Sequence, residues 1–200
     1  MNNSLKIFFA LCVFFIISPF TLVAADTKLC FTQFSIGTSA VVYGDEIVKA
    51  QNELIKQKGN PFRFVFSTDV SLGLMLDPQV RILTGGTLAT DFCFHGDYYA
   101  NRLDYGFFTG VRIYTGLAGL VAGVDYVCGR RSDYLMLPDD SGAKTFRTSW
   151  GNGFRFIAEY DFSNGQADYG LAPIVTMSWR RMPRGGYYDH NYSVCFKIGL

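Results

Sequence analysis

From Phe62 to Leu76 the sequence alternates without a break. Phe62, Phe64, Phe66, Thr68, Val70, Leu72, Leu74 and Leu76 share one parity. Arg63, Val65, Ser67, Asp69, Ser71, Gly73 and Met75 share the other. Period 2 held over so long a stretch is a strand with one apolar face and one polar or small face, well beyond ordinary strand length. Soluble sandwiches show such strands over shorter runs, whereas a bilayer-crossing strand needs about 9–11 residues of alternation.

The same pattern recurs along the chain, predicting strands over 29–43, 62–76, 79–95, 102–114, 117–129, 150–162, 168–180 and 191–200. Apolar faces are carried by Phe34, Ile36, Ala40 and Val42 in the first and by Val80, Ile82, Leu88, Phe92 and Phe94 in the third. Leu103, Tyr105, Phe107, Val111 and Ile113 do so in the fourth, and Leu120, Ala122, Val124 and Tyr126 in the fifth. Phe154, Phe156, Ala158 and Tyr160 follow in the sixth, then Tyr169, Leu171, Val175, Met177 and Trp179 in the seventh. Where a segment holds two or more charges, all fall on the opposite face. An Arg or Lys facing hydrocarbon at mid-depth costs about 2–4 kcal/mol, which accounts for the exclusion. A half-exposed soluble sheet also segregates charge, so a secreted soluble barrel of lipocalin type remains the rival.

Connections alternate in length: 44–61 long, 77–78 short, 96–101 medium, 115–116 short, 130–149 long, 163–166 short, 181–190 long. Short turns at one end and longer loops at the other are the pattern of an up-and-down outer-membrane barrel. Pro173 objects, because a closed barrel has no edge strand to excuse its missing N–H. It requires a bulge or a later strand start.

Residues 1–25 read as a secretory signal, with Lys6, the apolar run Ile7 to Ile17, Pro19 and the small end Val23-Ala24-Ala25. Beyond them no uncharged apolar run approaches a membrane helix. Charge is balanced, 18 Lys and Arg against 17 Asp and Glu in the full chain, leaving no basic excess for nucleic acid. Four cysteines follow the signal: Cys30, Cys93, Cys128 and Cys195. In an oxidising compartment they allow two disulfides; as small apolar fillers they need none. Cys30 and Cys195 lie on adjoining strands at mismatched depths, which predicts free thiols. Their spacing fits no metal site.

Signal, eight alternating segments and an aromatic-rich last strand together resemble the small eight-stranded outer-membrane proteins of the OmpA, OmpX and OmpW group. The end of the chain, with Tyr192, Val194, Phe196, Ile198 and Leu200 on one face, is similar to the assembly signal which that group presents to its barrel-insertion machinery. Leu200 stands where Phe or Trp is usual, a looser ending of the kind expected from a spirochaete member. The resemblance implies an all-β fold, an eight-stranded antiparallel up-and-down transmembrane β-barrel over 26–200. It also implies the cell outer membrane as location and its lipid as partner.

The inward face of such a barrel carries Arg63, Asp69, Arg81, Asp91, Asp104, Arg112, Asp125, Arg155, Glu159, Arg180 and Lys197. Eight strands enclose only enough space for side chains, so these charges should pair. A three-residue turn Leu76-Asp77-Pro78 keeps both faces in frame and sets Arg63 directly across from Asp91. The result is a structural plug or, alternatively, a gated conduit. The first loop predicts a short helix, capped by Asp45 and stopped by Gly59, with Ile47, Leu54, Ile55 and Val48 on one face. It serves either as a cover for the barrel mouth, or as a lid over a small hydrophobic ligand or an external contact surface. Arg130, Arg131, Arg181 and Arg184 near the rim point to a surface able to meet anionic headgroups.

His190 and Ser193 fall on opposite faces of a strand and form no nucleophile–base pair. No phosphate loop or cofactor motif is present. The function expected is non-enzymatic: a surface-exposed structural or adhesin-like role through external loops, meeting a host or extracellular ligand. The second reading is an OmpW-like narrow conduit for small hydrophobic solutes.

Overall fold

Strands this long would leave rows of unpaired backbone groups along any free edge, and the sheet closes on itself so that no edge remains in the ring. The computed structural model describes residues 30–136, 143–163 and 173–199. Along them run β1 Cys30–Val42, helix α1 Glu46–Gln57, β2 Phe62–Asp77, β3 Val80–His95, β4 Tyr98–Tyr114, β5 Leu120–Met136, β6 Lys144–Arg147, β7 Gly151–Asp161, β8 Pro173–Pro183 and β9 Tyr188–Gly199. Eight strands close an antiparallel barrel in the order β1-β2-β3-β4-β5-β7-β8-β9, with β9 pairing back onto β1. Strand β6 stands outside this ring and pairs with the upper part of β5.

The register sets the barrel's shape. Followed one way, the row through Ile36 passes Thr68, Leu88 and Tyr105 to Arg130. Followed the other way, it passes Phe196, Val175 and Tyr160 to Leu120. The two paths reach β5 ten residues apart, between Leu120 and Arg130, so the strands lean about 35–45° from the barrel axis. Rows of paired residues climb in passing from β5 to β9. One end of the barrel holds the turns at 78–79 and 115–119 and the described chain ends. The other, the loop end, holds α1 and the connections at 96–97 and 184–187.

Among the described residues the predicted facings hold, while Tyr169, Leu171 and Leu200 lie outside them. Phe62, Phe64, Val70, Leu74, Phe154, Phe156, Tyr160, Met177 and Val194 are exposed outside. Asp91, Arg112, Asp125, Arg155, Glu159, Arg180 and Lys197 are buried inside. A polar, charged interior inside an apolar shell inverts the arrangement of a water-soluble barrel. None of the described helices is long and apolar enough to cross a membrane, and most of the exposed apolar surface lies on the strands.

Several boundaries differ from expectation. The connection expected over 96–101 is a two-residue turn at Gly96 and Asp97, with Gly96 at φ +55°. That expected over 181–190 shrinks to 184–187, closed by the Arg184 N–H donating to the Tyr187 carbonyl at 2.9 Å. Strand β5 runs on to Met136. Asn101, Arg131 and Asp133 are polar enough to read as loop, yet they keep strand parity and so extend the wall past the expected ends.

The turn between β2 and β3 is also different. Asp77 pairs with Val80 around Pro78 and Gln79, and the Gln79 N–H donates to Asp77 Oδ1 at 3.0 Å. Such a turn alone would set odd positions against even ones. A bulge at Leu76, between the pairs Met75–Arg81 and Asp77–Val80, restores the frame. Arg63 therefore pairs in register with Cys93, and Asp91 lies two residues along β3 from the expected position. Pro173 is the first described residue of β8, and its carbonyl accepts from Phe162 N–H at 3.2 Å. The other part of the seventh predicted strand lies outside the described residues, as do 1–29 and Leu200.

Candidate functional site in the lumen and at the loop end

Alternation sends the charges of eight strands into one narrow space, where they meet in three layers. Nearest the turn end, the Arg81 guanidinium lies 4.5 Å over the Tyr114 ring and 5.4 Å over Phe31. The Tyr114 hydroxyl donates to Asp161 Oδ2 at 2.6 Å, and the Ser163 N–H donates to Asp161 Oδ1 at 2.8 Å.

At mid-barrel Asp125, 0% exposed, sits between two arginines. Arg112 reaches its Oδ1 at 2.5 Å, and Arg155 reaches its Oδ2 at 2.7 Å. Arg155 also holds Asp69 at 2.7 Å, and Arg112 meets Glu159 at 3.3 Å. Lys197 closes the cluster on Glu159. Gly110 and Gly123 make room for it: a Cβ on Gly110 would stand 2.0 Å from Asp125 Oδ1, and one on Gly123 2.5 Å from Arg112 Cδ. The gap left between Gln33, Ser35, Ser71 and this cluster is about the size of one water molecule.

Toward the loop end, Asp104 binds Arg180 at 3.1 Å and also Arg184. Arg131 holds Asp133 at 2.7 Å and binds Asp189. Arg63 grips Asp91 through Nε at 2.9 Å and Nη2 at 2.7 Å. The pairing expected of these two forms, on the diagonal rather than directly across. Tyr43 lies among them, donating to Asp91 Oδ2 at 2.7 Å, with Arg131 and Arg102 4.9 and 5.2 Å over its ring. Burial pushes its hydroxyl well above the ordinary tyrosine value, and the Asp91 carboxylate adds to the rise, so Tyr43 remains a donor. Sequence reasoning left Tyr43, Arg102, Asp133, Asp161 and Asp189 out of the interior charge network and set Arg131 and Arg184 at the rim, where the structure turns both inward. Continued parity past the expected strand ends is the signal that finds the strand residues among them.

Helix α1 rests over this layer. Asp45 caps it, accepting from the Ile47 N–H at 2.9 Å. Val48 and Ile55, 2% and 0% exposed, face the barrel, and Ile55 packs with Cys93, Ala100 and Leu135. The expected single apolar face splits. Ile47 and Leu54 lie a third of a turn round from Val48 and Ile55, and Ile47 is 68% exposed, because the narrow mouth admits one stripe of the helix. Arg102 Nη2 donates to Gln51 Oε1 at 3.3 Å, Gly44 N–H donates to Asp189 Oδ1 at 3.1 Å, and Asp45 stands 3.7 Å from Arg131. Ile55→Asp should cost most of this docking. Limited trypsin digestion is expected to cut at Lys49 or Lys56 at least tenfold faster than in the wild type, with the barrel intact. Unchanged cutting would mean that polar contacts alone hold the helix.

Of the last strand's outward row, Tyr192, Val194 and Phe196 are exposed and Ile198 is partly so. Cys195 faces the lumen. Cys30 is on the outer face roughly 23 Å along β1 from the partner of Cys195, so the two thiols are free. His190 faces outward and accepts from Trp179 Nε1 at 3.2 Å, while Ser193 faces inward and bonds Ser178 at 2.7 Å. Among the described residues no group of His, Cys, Asp and Glu is placed to hold a metal ion.

No known family model and no curated protein matches the sequence. Solved structures do match the fold. Ail, the attachment invasion locus protein of Yersinia pestis, superposes with a TM-score of 0.54 at 5% identity, over 86% of this chain and 97% of that one. The same protein in complex with the heparin analogue sucrose octasulfate gives 0.54 at 6% identity, over 86% and 97%. Neisserial surface protein A gives 0.48 at 10% identity, over 84% and 96%. These sources lend no support to a spirochaete origin. At such identities the likeness is one of fold: the chain is an eight-stranded β-barrel of the kind adopted by small outer-membrane proteins.

Proposed function

We propose that this protein is an outer-membrane barrel acting through its exterior, in a structural or adhesin-like role at the cell surface, and that its lumen does not conduct. The carrying observation is the filled interior, where Arg112, Asp125, Arg155, Glu159 and Lys197 bind one another across the full width. An eight-stranded barrel has no spare bore once its side chains pair. Residues 1–25 would direct export, giving a mature chain whose mass begins at Asp26. The row Tyr192, Val194, Phe196, Ile198 and Leu200 would be read by the insertion machinery. Opposite facing of His190 and Ser193 supports a non-enzymatic role. Ail's name and its heparin-analogue complex supply the model for an extracellular ligand met at the loop end.

A second reading, a narrow conduit for small hydrophobic solutes gated by α1, is favoured by the apolar seat of Ile55 at the mouth. Flux through proteoliposomes separates the two. Neither the wild type nor a chain lacking residues 45–58 is expected to pass solute, and passage by the shortened chain would establish the conduit. For the surface role, cells displaying the protein should lose binding to extracellular matrix when loops 43–61 and 137–150 are exchanged. Unchanged binding would remove the adhesin-like part.

A further inference from the structure

The outer wall is charged on one side only. Toward the loop end every acidic strand residue, Asp91, Asp104, Asp133 and Asp189, points into the lumen. Arg131 and Arg184 point inward with them, so the four rim arginines expected to meet headgroups divide. Arg130 and Arg181 occupy outward positions, and Arg147, paired with Ser132, is a third. Toward the same end the outward positions of β1 to β4 carry no charge, holding Val42, Phe62, Phe64, Phe94 and Leu103; the exposed Asp77 closes β2 at the opposite end.

The arginines are set among aromatic rings. Tyr105 pairs in register with Arg130, and the Trp150 ring on the far side of β5 comes within 6.2 Å of the Tyr105 ring, edge to face. Arg130 Nε is buried without a hydrogen-bond partner among the described residues. Arg181 lies 3.9 Å over the Tyr188 ring, and Trp179 below it stacks on Phe156 at 5.7 Å. Because paired rows climb from β5 to β9, Arg181 and His190 stand nearly level with Arg130.

We infer that this wall is a docking surface for a membrane lipid with a phosphate-monoester headgroup. Trp and Tyr settle at the depth of the headgroups, which places these guanidiniums against phosphate, and a guanidinium fork matches phosphate oxygens in geometry and charge. With no outward strand acid at this end among the described residues, a dianionic headgroup gains from each arginine. A second copy of this chain offers no acidic strand surface to take its place. The inference rests on the proposed membrane location.

The two tryptophans of the chain, Trp150 and Trp179, both lie beside these arginines and report on the lipid in contact with them. The test is quenching of their fluorescence in phosphatidylcholine vesicles containing either brominated phosphatidate or brominated phosphatidylcholine at equal, low mole fraction. Brominated phosphatidate is expected to be preferred about 25-fold, from roughly fivefold for each of Arg130 and Arg181. The preference should collapse in Arg130→Gln/Arg181→Gln and shrink in about 1 M salt, where screening reaches a few ångströms. Equal quenching by the two lipids in the wild type overturns the docking surface whether or not the double variant folds. No quenching by either lipid, in protein shown to be folded, overturns the membrane location as well.

Discussion

Asp125→Asn is expected to lower the stability of the refolded barrel by about 3–5 kcal/mol. The carboxylate is wholly buried and is the shared partner of Arg112 and Arg155. The amide keeps its shape and removes its charge, leaving Arg112 on Glu159 and Arg155 on Asp69 with two cations facing each other and no anion between them. Losing one member of a buried ion network costs far more than the network contributes over an apolar filling, because the remaining ions stay desolvated. Urea unfolding in detergent, followed by the mobility difference between unheated and boiled samples in dodecyl sulfate, measures the loss. Glu46→Gln on α1 is the contrasting case. It breaks the exposed Lys49–Glu46 pair at 2.7 Å and should change stability by no more than a surface ion pair does. A loss below about 1 kcal/mol for Asp125→Asn would mean that water already fills the lumen, and the plugged-barrel reading would go with it.

The sequence makes side-chain facing legible because period 2 leaves a one-residue error nowhere to hide: a slip would turn Asp125, Arg155 and Glu159 outward together. Strand ends were less legible for a related reason. Arg131 and Asp133 carry the composition of loops, but in an inverted barrel the polar side chain is the buried one, so polarity does not mark where the wall stops. The Arg63–Asp91 pair survived an error in its register, since a guanidinium reaches a diagonal neighbour as readily as a direct one. The bulge at Leu76 had no signal of its own beyond the need to keep parity. On α1, the apolar residues were readable, but the division between Val48–Ile55 and Ile47–Leu54 depends on the width of the mouth, a property of the closed barrel rather than of the segment.

Met177→Arg is the substitution that separates lipid from water at the outer face. Met177 is 58% exposed and its register partners are Ala158 and Val194, so little packing is lost and no carboxylate stands by to receive the new cation. If that face meets water, the change is one among ordinary surface substitutions, within about 0.5 kcal/mol. If it meets hydrocarbon near the middle of the membrane, it should cost about 2–4 kcal/mol. The measurement is the unfolding free energy of both chains reconstituted in lipid vesicles. Repeating it with thinner bilayers should reduce the penalty, because the arginine then reaches the interface by extending along the wall. The companion Thr176→Arg turns the same charge into the lumen, beside Glu159, whose Oε1 accepts from the Thr176 hydroxyl at 3.5 Å. There the cost arises from overfilling a packed interior and does not vary with bilayer thickness. A large penalty at position 177 that falls in thin bilayers, next to one at 176 that does not, is the signature of strands that carry their core inside and their solvent outside in a membrane. Equal insensitivity at both positions would assign the apolar shell to a partner protein or to water instead.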